Sequence, residues 1–302
     1  MRQRYVSIDG EWVPINEAAI DEQIRLRFPQ LAYLRSNPEI NELLIKAIQG
    51  TWSQTELEPQ LYNTEWWRST SESVRLWDAK FHVDPAQANA EWDQKTLAVG
   101  NQARRMGVTL NEFDTKWVAG KVLREGWTDD QLNSFLGSLA RNTGSAAPGA
   151  ITETQATLKA AARKYMVGMD DATLFDFAVR IAEGSATREA VDTLLRDQAK
   201  ARFHWLAPQI DAGFSPTDLF ASTRQAVATQ LEIDPNQIDL NDPRWSQLTA
   251  PIQDGNTMRS MTFTEAQQWA RSRPEWRVTN NANAEASELG LNILRSMGVL
   301  AS

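Results

Sequence analysis

Apolar residues recur at helical spacing along most of the chain. One clear stripe follows Asn37-Pro38 and consists of Ile40, Leu43, Leu44, Ala47 and Ile48. Spacings of three and four residues place such side chains on one face of an α-helix. Similar stripes continue to the last helical segment, which ends near Met297. The pattern therefore predicts an all-α protein.

Two short stretches interrupt the helical pattern. In the first, Asp9-Gly10 lies between two short runs rich in apolar residues. An Asp-Gly pair supplies the positive φ angles of a tight type I′ turn. The second stretch, near 248–260, fits either a hairpin or an extended loop. We expect two short β-hairpins, near 5–13 and 248–260.

A six-residue motif recurs at predicted helix starts. It consists of an apolar residue, a Ser, Thr or Asp, two spacers, a polar residue and a second apolar residue, and it occupies residues 52–57, 108–113, 127–132, 169–174 and 214–219. This order combines a capping box with a hydrophobic staple. The irregular spacing disfavours a strict solenoid and predicts stacked helical hairpins. Unrelated caps in an ordinary helical protein are the alternative.

A segment rich in Gly, Ser, Ala and Pro lies at 142–150, between two predicted helices. Such composition is typical of a linker or hinge. We expect an N-terminal hairpin and helical lobe at 1–140, a linker at 141–151 and a C-terminal helical lobe at 152–302. A long loop within one domain is the alternative.

Composition narrows the possible chemistry. The 302 residues contain no Cys and two His, and the formal net charge is −8. Without Cys there is no disulfide, Cys-based metal site or thiol nucleophile, and two histidines cannot build a multi-histidine centre. We expect no catalytic, cofactor or metal site. An acidic chain is also a poor partner for phosphate backbones, so direct nucleic-acid binding is not expected.

Targeting signals are not apparent in the sequence. No apolar run approaches the roughly 20 residues that a membrane-spanning helix needs. The first residues are basic, but no apolar region follows them as it would in a secretory signal. We expect a soluble chain that is made in the cytoplasm.

The remaining polar candidates have simpler explanations. His82 and His204 each lie beside aromatic residues, where packing is the more common role. The acid-rich segment 234–242 lacks the glycine and terminal Glu of a calcium loop and suits helix starts better. A pair of carboxylates for glycoside cleavage would have to come from Glu56, Glu65, Glu112 and Glu125. No pair among them stands out.

Twelve tryptophans are the unusual part of the composition. Trp66 and Trp67 are adjacent, so on a helix their side chains point about 100° apart. One would pack inward while the other contacts another lobe or subunit; burial of both in a thick core is the alternative. With Trp92 and Trp276 they are our candidates for a protein interface, because large aromatic residues are enriched there.

The chain resembles the helical "Trp-Trp" virion structural proteins of tailed bacteriophages, especially those with actinobacterial hosts. The resemblance spans most of 28–298 and is carried by the segments Trp52–Leu57, Asn63–Thr70, Trp77, His82–Ala88, Lys159–Met166, Gln198–Lys200, Trp205–Gly213, Glu232–Pro235, Asp242–Trp245, Trp269 and Pro274–Trp276. None of these segments is diagnostic of an activity.

The resemblance implies a minor tail, head–tail or internal component of a tailed-phage virion. Such a protein is made in the host cytoplasm and works without catalysis. Its partners would be other virion proteins and further copies of itself. A virion-associated peptidoglycan hydrolase and an assembly scaffold or adaptor are the alternatives.

Overall fold

The computed structural model describes residues 5–8, 11–14 and 17–297, with side chains from residue 18 onward. These residues form α-helices, short 3₁₀ helices and two separate two-stranded antiparallel sheets. The expected all-α class with two short hairpins is confirmed. No helix in the described part of the chain is both long enough and apolar enough to cross a membrane. The chain divides into two compact units, Met1–Gly149 and Ala150–Ser302.

Unit 1 begins with a hairpin and continues as helices. Strands β1 (Tyr5–Ile8) and β2 (Glu11–Pro14) pair with Ile8 opposite Glu11. The expected Asp9-Gly10 turn lies outside the described residues. The helices are α1 (Glu17–Arg27), a 3₁₀ helix (Pro29–Ser36), α2 (Pro38–Gln49), α3 (Gln54–Tyr62), α4 (Glu65–Ser69), α5 (Glu72–Val83), α6 (Pro85–Met106), α7 (Glu112–Arg124) and α8 (Asp129–Thr143).

Unit 1 is built around the apolar faces of its first helices. The stripe found after Asn37-Pro38 is buried, with Leu43 at its edge, and it joins residues of α1 and α3 in one core cluster. Asn37 starts α2 by accepting hydrogen bonds from the N–H groups of Glu39 and Ile40. Farther along, Trp92 of α6 packs over Gly120 of α7, whose missing side chain leaves room for the indole ring.

Unit 2 contains eight α-helices among its described residues, with short 3₁₀ helices between several of them. These elements are α9 (Ala150–Lys164), α10 (Asp171–Ala182), α11 (Arg188–Arg202), a 3₁₀ helix (His204–Leu206), α12 (Ala207–Asp211), α13 (Pro216–Leu219), α14 (Ala221–Leu231), 3₁₀ helices (Pro235–Gln237 and Pro243–Thr249), α15 (Phe263–Ser272), a 3₁₀ helix (Pro274–Val278) and α16 (Asn280–Ser296).

A charged cluster joins the second hairpin to the next helix. Strands β3 (Ile252–Asp254) and β4 (Thr257–Arg259) pair antiparallel. Arg259 donates two hydrogen bonds of 2.8 Å to the carboxylate of Glu265 and a third, of 3.0 Å, to Asp254. Glu265 also accepts from the N–H of Thr262, the N-cap of α15. These bonds hold the pKa of Glu265 at about 2, with Arg259 the largest cause.

The recurring motif starts helices at four of its five positions. Thr128 and Ser215 form reciprocal capping boxes with Gln131 and Asp218, respectively. The N–H of Ser53 donates to Glu56 at 2.7 Å, and Asp170 accepts from the N–H of Thr173.

The motif copy at 108–113 does not start a helix at Thr109 as predicted, because α7 begins later. Asn111, not Thr109, is the N-cap of α7, and it accepts from the N–H of Asp114. Phe113 is therefore the second helical residue and cannot make the expected staple with Val108. Phe113 remains 77% exposed while Val108 is buried.

The segment expected as a linker, 141–151, contains the division between the two units. Its first residues belong to α8 and its last two to α9. The N–H of Ala147 donates to the carbonyl of Gly107 at 2.8 Å. Gly107 has φ of +86°, and a Cβ there would come within 2.3 Å of the Ala147 oxygen. Only glycine allows the backbones of residues 107 and 147 to come this close. This part of the segment is therefore bound to the end of α6 in unit 1.

Gly120→Ala should destabilise the protein by about 1–3 kcal/mol, because the new Cβ would lie 2.7 Å from the Trp92 ring. Urea unfolding followed by circular dichroism measures the effect. Gly100→Ala in α6 is the control, since its Cβ would make only an ordinary 3.5 Å contact. That variant should gain up to about 1 kcal/mol from helix propensity. Equal effects of the two substitutions would contradict the packing described for Trp92.

Stability should fall as pH drops from about 4.5 towards 2, in part through Glu265. Its folded pKa is depressed, so its contribution is complete above the unfolded pKa and is lost on protonation. Glu265→Gln should unfold more readily than wild type at pH 7, and the difference should shrink across that window. Asp254→Asn, which leaves the bonds from Arg259 and Thr262 to Glu265, should keep most of the pH dependence. Urea titrations at several pH values test both variants.

Candidate protein interface

The Trp66–Trp67 pair lies on α4, a single turn whose start is fixed by two side chains. Thr64 is the N-cap and accepts from the N–H of Trp67 at 3.2 Å. The carboxylate of Glu39, in the first turn of α2, accepts from the N–H groups of Glu65 and Trp66 at 2.9 and 3.2 Å. A negative charge is favourable at a helix start, where backbone N–H groups lack partners. Glu39 thus anchors the tryptophan turn to α2.

Both rings of the pair pack within unit 1. Each is half-buried against the core cluster formed by the first helices. The Trp67 ring lies 4.6 Å from Tyr62 and 6.2 Å from Trp66, between ring centroids. The Arg75 guanidinium sits 3.9 Å above the Trp67 ring and donates to the Trp67 carbonyl. The pair therefore stabilises unit 1, and its role as an interface stays a prediction.

Trp92 and Trp276 are also half-buried, each in its own unit. Trp92 fills the space over Gly120 and lies 5.9 Å from the Trp77 ring. Trp276 belongs to the 3₁₀ helix before α16, and its indole N–H is enclosed without a hydrogen-bond acceptor among the described residues. The structure brings Trp66 and Trp67 into ring contact, whereas Trp276 belongs to unit 2. The use of the four tryptophans in contacts stays a prediction.

A different aromatic cluster in unit 1 combines two exposed rings, Phe113 and Trp117, with two half-buried ones. It consists of Phe113 and Trp117 on α7, Phe135 on α8 and Trp127 just before α8, and we call it the α7–α8 aromatic surface. The rings of Trp117, Trp127 and Phe135 contact one another with centroids 5.5–6.2 Å apart. Trp117 is 45% exposed, and Phe113 precedes it by one helical turn. Residues 113, 117 and 121 share a helix face, and Lys121 lies 5.1 Å above the Trp117 ring.

The sequence pattern does not predict this surface. It assigns Phe113 and Trp127 to staples, which would turn both towards their helices. The recognisable signal is Asn111 three residues before Asp114, a second capping pattern that shifts the start of α7. That shift turns Phe113 outward.

The last helix, α16, is attached by its first turn. The carboxylate of Glu232 accepts from the N–H groups of Asn280 and Asn281 at 3.0 and 2.7 Å. Asn281 in turn donates to the carbonyl of Thr229. Ala282 is buried, whereas the apolar residues of the last turns, Leu289, Leu291, Ile293, Leu294 and Met297, are exposed.

Three of the four candidate acids have local partners. Glu56 is bound to Ser53, and Glu112 and Glu125 form ion pairs with Lys116 and Lys121. The bonds from Ser53 and Lys116 lower the carboxyl pKa values of Glu56 and Glu112. A glycosidase general acid needs the opposite shift.

The histidines and the acid-rich segment also have structural roles. His82 stacks on Tyr33 with centroids 4.6 Å apart, and the His204 ring meets Trp205 edge-on. In the segment 234–242, each of three aspartates accepts from the N–H two residues ahead, which is the turn role expected of helix starts. In the described part of the chain, no group of three or more acidic or histidine side chains could hold a metal ion.

Comparisons with known proteins find no match for this chain: none among protein-family models, none among curated proteins and none among solved structures.

Glu39→Ala should lower the free energy of unfolding by about 1 kcal/mol, the usual cost of losing a helix cap. Tryptophan emission should also shift to the red as the Trp66–Trp67 turn loosens. Glu42→Ala removes a carboxylate one turn later that pairs with Lys46, so it controls for the loss of surface charge. Urea unfolding followed by fluorescence compares the variants, and equal losses would contradict the anchoring role of Glu39.

Proposed function

We propose that this chain is a non-enzymatic structural protein of a tailed-phage virion. It acts in the tail, the head–tail connection or the interior by assembling with other virion proteins and with further copies of itself. The resemblance across 28–298 is the reason for this class of protein. The observation that carries an assembly role is the α7–α8 aromatic surface.

This surface has the composition and exposure of a protein-binding site. Phe113 and Trp117 are exposed, and Trp117 contacts the half-buried rings of Trp127 and Phe135. Exposed apolar patches of this kind often mark interaction sites. Tryptophan is enriched among the residues that dominate binding energy. Covering a large apolar side chain contributes about 1.5–3 kcal/mol, so Phe113 and Trp117 could together supply much of a contact. In a symmetric particle each such contact is repeated.

The apolar face of α16 supports the same proposal independently. Its last turns present Leu289, Ile293 and Met297 at helical spacing, and all three are exposed. An amphipathic helix normally places such a stripe against another surface. Its attachment through Glu232 leaves this stripe accessible to a partner.

Phage particles carrying the double variant Phe113→Ser, Trp117→Ser should contain at least about tenfold fewer copies of the protein than wild-type particles. Loss of two central aromatic contacts costs more than the roughly 1.4 kcal/mol that corresponds to tenfold in affinity. Quantitative mass spectrometry of purified particles measures the copy number. Leu97→Ser is the control, because Leu97 is 68% exposed in the same unit but lies outside the aromatic surface.

The same particles test the class of protein. Absence of the wild-type chain from mature virions would overturn the proposal. Its presence in assembly intermediates alone would indicate a scaffold. Clearing of peptidoglycan by the purified protein would indicate the hydrolase instead.

A further inference from the structure

Unit 2 contains a cavity of about 790 Å³ that none of the roles above explains. Its walls come from the end of α9, the loop before α10, the end of α11, the helices α13 and α14, and the turn at 236–241. The volume lies within the range of small-molecule sites, which is roughly 300–1,000 Å³.

The walls are held together by hydrogen bonds between these elements. The Arg202 guanidinium donates to the Met166 carbonyl at 2.6 Å and to Asn241 at 3.0 Å. Thr217 donates to the Lys164 carbonyl at 2.8 Å. The cavity is therefore formed by the fold itself, and the carbonyls at the end of α9 that would repel an anion already have donors.

Positive charge is concentrated around this cavity. Its lining contains five cationic side chains and one carboxylate, although the whole chain is acidic. The cations are Lys159, Arg163, Lys164, Arg202 and Arg224, and the carboxylate is Asp239. Such a concentration raises the local potential for anions.

Most of these cations lack an anionic partner. Lys159 pairs with Asp171 at 2.6 Å. Within the described part of the chain, the other four make no salt bridge, although Lys164 is near enough to Asp218 to help lower the pKa of that carboxyl. The Nε of Arg224 is enclosed and has no hydrogen-bond partner among the described residues. An enclosed donor without an acceptor is costly, so the site is poised for an external acceptor.

Part of the remaining lining is apolar, beside the polar side chains of Thr217, Asn236 and Asn241. Met166, Leu174, Ile238 and Leu240 contribute to the lining, and each is buried. A ligand that fits both parts carries concentrated negative charge on one side and an uncharged body on the other. Guanidinium groups match phosphate oxygens with paired hydrogen bonds.

We propose that this cavity binds an organic phosphate of nucleotide size. The phosphates contact Arg163, Arg202 and Arg224, and the uncharged body lies against the apolar wall. This site is separate from the α7–α8 aromatic surface, and its occupation does not depend on the proposed virion role.

Isothermal titration calorimetry on the purified full chain tests the proposal with three probes: ADP, inorganic pyrophosphate and adenosine. ADP should bind most tightly, because it satisfies both walls. Pyrophosphate should bind more weakly. Adenosine at a concentration of about 1 mM, which is high enough to reveal even weak binding, should show none. Added salt should weaken the binding of both charged probes.

The double variant Arg163→Gln, Arg224→Gln should bind ADP at least about a hundredfold more weakly. Each lost charge-assisted bond is worth about tenfold or more. The double variant Arg277→Gln, Arg295→Gln removes the same charge from unit 2 outside the cavity and should bind as wild type does. Circular dichroism of both variants confirms folding.

Three outcomes would overturn the proposal. The first is no binding of ADP or pyrophosphate to wild type. The second is an equal loss of affinity in the two double variants, which would indicate general charge attraction. The third is displacement of ADP by a short single-stranded DNA that binds more tightly, which would assign the phosphate contacts to a nucleic-acid backbone. Virion incorporation is measured separately, so neither proposal's failure would be mistaken for the other's.

Discussion

The backbone N–H groups at helix starts are the constraint on which this fold depends. Most of the helices are short, so a large part of the backbone lies in terminal turns that lack intrahelical partners. Local side chains satisfy many of these groups, as Thr128 and Ser215 do. At α4 and α16 the acceptor is a distant carboxylate, Glu39 or Glu232, and there the cap also joins two elements. Capping thus contributes to tertiary structure as well as to helix formation.

Several tryptophans fill spaces between neighbouring elements. Trp92 fills the space above Gly120, and Trp67 is covered by Arg75. Each large ring replaces several smaller contacts, and loses little conformational freedom on burial. The same property makes an exposed ring such as Trp117 suited to a partner. Packing inside unit 1 and the proposed binding at its surface therefore use the same residue type in different surroundings.

The all-α fold class and most helix starts follow from the sequence, because they depend on residues that lie within one or two helical turns of each other along the chain. Ser53, Thr128 and Ser215 each lie three positions from their capping partner. The exposure of a tryptophan depends instead on distant residues: Trp66 is anchored through Glu39, which lies 27 positions away. The cavity of unit 2 is harder still to predict, because its arginines at 163, 202 and 224 converge only in the folded unit. Local periodicity carries no information about that convergence.

Glu232 has one more consequence, for the folding of unit 2. It ends α14 in the left-handed conformation, with φ of +57°, and binds the start of α16 48 residues later. This carboxylate closes a loop that contains β3, β4 and α15. Closing a long loop costs little more entropy than closing a moderate one, and packing of α15 on α14 helps the hydrogen bonds of Glu232 to hold it. Glu232 therefore couples the end of α14 to the start of α16, so that a change at one helix end reaches the other directly.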